Sequence, residues 1–216
     1  EKNPNIGGTW WENTYPGCAV DTPNHFYSYS FAPSKHWTRH FSQRDEILAY
    51  IEATADRFGG RDASRGGGEG TAATYDEAAS RWRLSLRTSG GDSETLVCNA
   101  VITAVGQLNR PAIPPIAGLT DFPGPVFHTA RWDASVDLTG KQVALIGTGA
   151  SAMQAGPSIA ADVAQLTVFQ RTPHWAMHNP NYHKTVNPGT IWALEHVPYF
   201  AQWLRFQLFW ASSDGF

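Results

Sequence analysis

The feature that most limits what this chain can fold into lies in its second half. There Lys141-Gln142-Val143-Ala144-Leu145-Ile146 runs without a break into Gly147-Thr148-Gly149-Ala150-Ser151-Ala152. The apolar run predicts a strand, the glycines a tight turn, and Ala150 to Ala161 a helix that Gly156-Pro157 must kink or restart. Leu166 to Gln170 predicts the next strand. Strand, glycine turn, helix and strand in succession make a βαβ unit, which requires a parallel sheet. The turn has the spacing G-x-G-x-x-A, a weak signal alone that gains weight from opening a helix directly after a strand. Gly147 permits the tight turn, Gly149 lets the backbone approach a pyrophosphate, and Ala152 keeps the helix close to the sheet. The helix N-terminus adds N–H donors and a positive dipole end. Thr148, Ser151 and Gln154 complete the set of candidate nucleotide-binding residues on this turn and helix.

The end of the second strand bears on which nucleotide is held. An NAD site usually has an acid there for the ribose 2′-hydroxyl; this chain has Gln170-Arg171-Thr172. A guanidinium pairs bidentately with a 2′-phosphate and a threonine hydroxyl adds a hydrogen bond, so Arg171 and Thr172 favour NADP(H). The plainer reading of Arg171 is a solvated surface charge.

The remainder is less regular. Residues 1–42 read as packed loops, and Gln43 to Phe58 as a helix with Ile47, Leu48, Ile51, Ala55 and Phe58 on one face, stopped by Gly59-Gly60. Residues 59–70 read as a linker or a flexible loop. Thr71–Asp76, Arg81–Thr88 and Glu94–Cys98 predict a small antiparallel meander. Ala100 to Val105, ending at Gly106, predicts a buried parallel strand, and Pro111, Pro114 and Pro115 mark a domain boundary. Ile191 to Trp210 predicts a helix with Tyr199, Trp203, Phe206 and Trp210 along one face, either packed against further chain or lying on a membrane surface. The absence of an initiator Met and the apolar run at the end lead us to expect an internal piece of a longer protein. With 16 Lys+Arg against 19 Asp+Glu, a net charge of −3 leaves no footprint for nucleic acid. No run is long enough for a clear membrane segment. Two cysteines, Cys18 and Cys98, allow no disulfide framework or zinc site and suggest a reducing, cytoplasmic compartment.

Two further stretches carry a resemblance. Phe122 to Asp133, with Gly124, His128 and Trp132, matches F-x-G-x-x-x-H-x-x-x-W-[P/D]. Gly7-Gly8-Thr9-Trp10, then Tyr15-Pro16-Gly17 and Asp21, matches [A/G]-G-x-W-x-x-x-x-[F/Y]-P-[G/M]-x-x-x-D. Both are signatures of the Baeyer–Villiger monooxygenases, and both precede the nucleotide turn in that family's order. The chain resembles the family over nearly its whole length, its tail being more similar to the 4-hydroxyacetophenone monooxygenase branch.

The resemblance implies an α/β fold of two dinucleotide-binding, Rossmann-like domains with parallel sheets plus the meander, both incomplete. Residues 1–112 would form part of an FAD-binding domain and 113–216 part of an NADP-binding domain with a helical tail. By position, Glu1 would hold the FAD ribose, Gly8, Thr9 and Trp10 would line the flavin, and Asp21 and Tyr27 would stand beside the isoalloxazine. Asp21 would be a buried carboxylate that positions a catalytic arginine, and Val20 would touch the nicotinamide nucleotide. Asp21 and His128 are the implied catalytic candidates, His128 through cofactor-linked domain motion, while Trp132 reads as a packing anchor. The implied reaction uses NADPH, FAD and O2 to form a C4a-peroxyflavin and convert a ketone to an ester or lactone. The alternatives are an N- or S-oxygenating flavin monooxygenase and a catalytically inert nucleotide-binding piece; a disulfide reductase is set aside for want of a C-x-x-C pair. Arg61 to Gly70 departs from the family, which has a short apolar strand there. The FAD glycine fingerprint and the catalytic arginine are expected outside the 216 residues. The ketone and the oligomeric state are not legible.

Overall fold

The computed structural model describes residues 1–107, 110–176 and 178–213. They form two compact units, Glu1–Glu12 with Ile51–Ala112, and Asn13–Tyr50 with Ile113–Phe216. Ala112 is thus a boundary, but Asn13–Tyr50 packs with the later residues.

The first unit begins with a single helical turn, α1 (Thr9–Glu12), and includes the second half of helix α2 (Arg44–Arg57). Asp45 and Glu46 at the start of α2 and Arg57 at its end complement the helix dipole. Gly59 stops it at φ +70°, a left-handed cap, with the Gly60 N–H donating to Ala55 O at 2.7 Å. The meander is β1 (Gly68–Asp76), β2 (Arg81–Thr88) and β3 (Ser93–Cys98), paired antiparallel in that order. Tyr75 faces Trp82 across β1 and β2 with ring centroids 5.2 Å apart. Asp76 closes the turn between them, accepting from the Ala79 N–H at 3.0 Å and from Arg83 Nη2 at 3.1 Å.

Two expectations change here. The glycine-rich stretch is neither linker nor loose loop. A side chain at Gly66 would lie 2.8 Å from Pro4 O, and the Gly67 and Gly68 N–H groups donate to Asn3 O and Glu1 O at 3.0 and 2.9 Å. The glycines let this stretch lie against the backbone of residues 1–4 and lead into β1. Residues 100–105, expected as a buried strand, are not one: Ile102 is 91% and Val105 74% exposed, and the stretch belongs to no strand. An apolar run becomes a strand only where a neighbouring strand takes its backbone groups.

In the second unit β4 (Gln142–Ile146), α3 (Ala150–Ile159) and β5 (Gln165–Phe169) form the expected βαβ, with β4 and β5 parallel and Ile146 level with Phe169. Helix α3 runs through Gly156-Pro157 without restarting, and Pro157 lies in its last turn. Helix α3 also approaches the strand closely at Gly156, which is buried and whose missing Cβ would stand 3.2 Å from Leu145 Cδ2. Around the start of α2 the core gathers Val20, Trp37, Phe41, Ile47 and Leu48 with Val186 and Leu194. Buried Asn24 bonds Ser42 and donates to Arg39 O at 2.8 Å. The tail is two helices, α4 (Pro188–His196) and α5 (Phe200–Ser213), not one. Asn187 caps α4 through the Gly189 N–H at 2.7 Å, and Pro198 with Tyr199 at φ +62° separates the two. Among the described residues no helix is long and apolar enough to cross a membrane, and no cluster of His, Cys, Asp or Glu could hold a metal.

Candidate functional site

The glycine turn is open where a nucleotide would need room. Gly147 has φ +104° and donates its N–H to Phe169 O at 2.8 Å, fixing the turn to the end of β5. Neither Gly147 nor Gly149 has any atom within 4 Å of where a Cβ would be. The first intrahelical bond of α3 runs from the Met153 N–H to Gly149 O at 3.0 Å, and the N-cap residue, Gly149, supplies no side-chain cap. The N–H groups of Ala150, Ser151 and Ala152 therefore precede the ladder, as an anion site requires. Gln170 Nε2 donates to Thr148 Oγ1 at 2.9 Å, clasping the turn to the segment that carries exposed Arg171 and Thr172. Open glycines, uncommitted helix N–H groups and a cation at the end of β5 fit the pyrophosphate and 2′-phosphate of NADP(H).

Gln154, one turn further along α3, does something else. Its Oε1 accepts from the Tyr15 hydroxyl at 2.8 Å and the Ala19 N–H at 3.3 Å. Its Nε2 donates to Ala19 O at 2.9 Å and the Tyr182 hydroxyl at 3.0 Å. All four hydrogen-bonding positions of the amide are used within the protein, so Gln154 leaves the set of cofactor ligands. Gly17 lies flush on the same helix: at φ +79°, a Cβ there would be 2.7 Å from Gln154 O and closer still to Ser158 Oγ. Burial pushes the Tyr15 hydroxyl well above its ordinary pKa and raises that of Tyr182 too, keeping both protonated. From Ala19 the chain enters buried Val20, whose N–H donates to Ser42 O at 3.0 Å. Asp21 follows, and it is exposed, not buried. Tyr27 is exposed on a turn in which Arg205 Nη1 donates to Phe26 O and Ser28 O, each at 2.9 Å. The Arg205 guanidinium also lies 5.2 Å from the Phe26 ring centroid. Sequence reading missed Arg205, because nothing local to α5 points to a turn so distant in the chain.

His128 is half-buried and caps a 3-10 turn, Thr129–Arg131, its Nδ1 accepting from the Ala130 N–H at 3.0 Å. That bond assigns Nδ1 as the acceptor nitrogen and leaves Nε2 for the proton. The turn touches α3. Trp132 stands edge-on to Phe127 with centroids 5.1 Å apart, a packing contact as expected. In the first unit, Gly8 at φ +51° opens onto space and its carbonyl accepts from the Trp11 and Glu12 N–H groups at 3.1 and 2.9 Å. Thr9 is exposed there and Trp10 is buried. The Glu1 carboxylate accepts from the Asn3 N–H at 2.9 Å. Open Gly8 beside a buried indole fits one edge of a flavin.

Residues 84–201 match the family described as pyridine nucleotide-disulphide oxidoreductase. The chain belongs to this family. Among the family's relatives, a Baeyer-Villiger monooxygenase of Streptomyces coelicolor is 49% identical over 177 residues, 82% of this chain and 33% of that protein. The chain is also similar to the solved structure of cyclohexanone monooxygenase from Rhodococcus sp. Phi1 bound to NADP+. That match has a TM-score of 0.80 at 36% identity and covers 90% of this chain and 36% of the other. OTEMO in complex with FAD and NADP matches with a TM-score of 0.81 at 34% identity, covering 89% of this chain and 37% of the other. The chain thus spans about a third of the length of these relatives.

Proposed function

We propose that these residues belong to an FAD- and NADPH-dependent monooxygenase of Baeyer–Villiger type. The observation that carries this reading is the uncapped α3 N-terminus behind two open glycines, with Arg171 at the end of the adjacent strand. The likeness to NADP- and FAD-bound monooxygenases supports it. The family's name does not bring dithiol chemistry with it, since Cys18 and Cys98 are both free thiols. Free thiols also support a reducing compartment, which we take to be the cytoplasm.

When bound, NADPH supplies hydride to FAD, and the reduced flavin with O2 supplies the oxygen atom inserted beside a ketone carbonyl to give an ester or lactone. The chain's own residues bind and orient. The Ala150, Ser151 and Ala152 N–H groups receive the pyrophosphate, and Thr148 holds the turn in shape through Gln170. Arg171 and Thr172 receive the 2′-phosphate. Gly8, Thr9 and Trp10 would line the flavin, and Glu1 would accept from its ribose. Val20, itself buried, would serve the nicotinamide end, Asp21 would offer its exposed carboxylate to a cationic partner, and Tyr27 would serve the flavin. His128 acts through its segment, which lies against α3. On this reading residues 1–112 serve FAD and 113–216 serve NADP(H).

The experiment uses the protein that carries this chain. Arg171→Ala is expected to weaken NADPH binding tenfold or more while leaving NADH within twofold; equal losses for both would remove the 2′-phosphate role. Aryl ketone turned over to ester is the expected product, whereas N-oxide from amines with no ester would assign the protein to the nitrogen- and sulfur-oxidising relatives.

A further inference from the structure

We propose that Gln154 is a positioning residue: it fastens the loop Tyr15–Asp21 to the nucleotide helix α3, so that Val20 and Asp21 keep a fixed place beside the nicotinamide end of the bound nucleotide. The inference rests on the nucleotide reading above and deepens it.

Three observations converge on the Gln154 amide. First, it is saturated. Two donors and two acceptor positions meet Tyr15, both backbone groups of Ala19, and Tyr182 at 2.8–3.3 Å. Exchanging N–H and C=O with Ala19 is what a neighbouring strand would do, so the side chain acts as a one-residue edge for the loop. Second, the loop meets the helix with no clearance, since Gly17 has room for hydrogen alone against Ser158 and the Gln154 carbonyl. Third, the far side of the loop is pinned as well, because the Val20 N–H donates to Ser42 O at 3.0 Å and the Arg44 N–H to Cys18 O at 2.8 Å. The loop is held on one face by the core and on the other by Gln154, with Ser151, also on α3, bonding the Tyr15 hydroxyl. Tyr182 adds a second strut, its ring 5.2 Å from that of buried Phe41. Fixing reacting groups in place before substrate arrives is how a residue without substrate contact alters a rate.

Two variants probe the amide. Gln154→Leu keeps bulk and removes all four hydrogen bonds. Tyr15→Phe removes one and serves if the first fails to fold. Amide hydrogen exchange reports the clamp without cofactor. At Ala19 it is expected to rise tenfold or more in Gln154→Leu and less in Tyr15→Phe, while Ile146 in β4 keeps its protection. In the FAD-loaded protein, flavin bleaching by NADPH is expected to slow tenfold or more with NADPH affinity within threefold. Unchanged exchange at Ala19 in both variants would overturn the proposal. So would affinity falling in step with rate, which would make Gln154 a nucleotide ligand. Wild-type protein that binds no NADPH would instead sink the nucleotide reading, and the exchange result would still decide whether the clamp exists.

Discussion

His25 is 7% exposed, and among the described residues its Nε2 has no hydrogen-bond partner. Burial, with His40 nearby as the lesser cause, pushes its pKa down to about 4. The folded form therefore holds His25 neutral at a pH where the unfolded chain already takes a proton near 6.5. Stability is complete above about pH 6.5 and declines as pH falls toward 4, by up to about 3 kcal/mol at this one site. Denaturant midpoints at pH 7 and pH 5 measure the decline, and His25→Phe should flatten most of it. His40, lowered by burial and by Lys184, accounts for the remaining slope. A slope unaltered in His25→Phe would show that other groups carry it. Nothing in the sequence distinguishes this histidine from the seven others, because the cause is burial created by distant residues. His128 was legible as part of a motif, yet its capping bond depends on a 3-10 turn that no periodicity announces. Asp21 was placed correctly in its motif and wrongly in its surroundings, since exposure is a property of the folded loop.

At the scale of elements, the βαβ unit was the most legible part of the molecule, because strand, turn and helix each had a local cause. A second match to the same glycine spacing, Gly68-Glu69-Gly70-Thr71-Ala72-Ala73, lies inside β1 and opens no helix, so placement and not spacing distinguishes the site. The tail was misread as one helix because the aromatic spacing continues across Pro198, where the backbone does not. The seam between loop and helix was not legible at all. Gly17 belongs to a recognised motif, but the motif gives no hint that the glycine lies against α3. Gly17→Ala should cost about 1–3 kcal/mol, from the strained φ and the contact together. Adding Ser158→Ala should not restore it, because the Gln154 carbonyl still stands 2.7 Å away. Thermal unfolding of the single and double variants checks both statements, and a Gly17→Ala protein as stable as the parent would contradict them.

Over the whole molecule, apolar surface is distributed unevenly. The second unit buries Trp37 and Ile47 almost completely, while Trp175, Trp203, Phe206 and Trp210 are all more than half or half exposed. Patches of this kind bind partners or dyes. The 216 residues on their own should therefore bind a hydrophobic dye strongly, and Trp203→Gln with Phe206→Gln should cut that fluorescence at least twofold. Dye binding indifferent to both changes would assign the patch elsewhere. The aromatic spacing of Tyr199, Trp203, Phe206 and Trp210 makes this patch legible in the sequence, and the low charge content, 16%, agrees with it.

The clasped βαβ unit has one more consequence. Lys141 stands just before β4 and Arg171 just after β5, both exposed, and no lysine or arginine lies between them. Trypsin thus excises strand, turn, helix and strand as a single peptide, residues 142–171, and a phosphate seated on Arg171 would hide the second scissile bond. Protection there lengthens the peptide to Lys184, so a mass spectrum alone reports whether the nucleotide is bound and by which end.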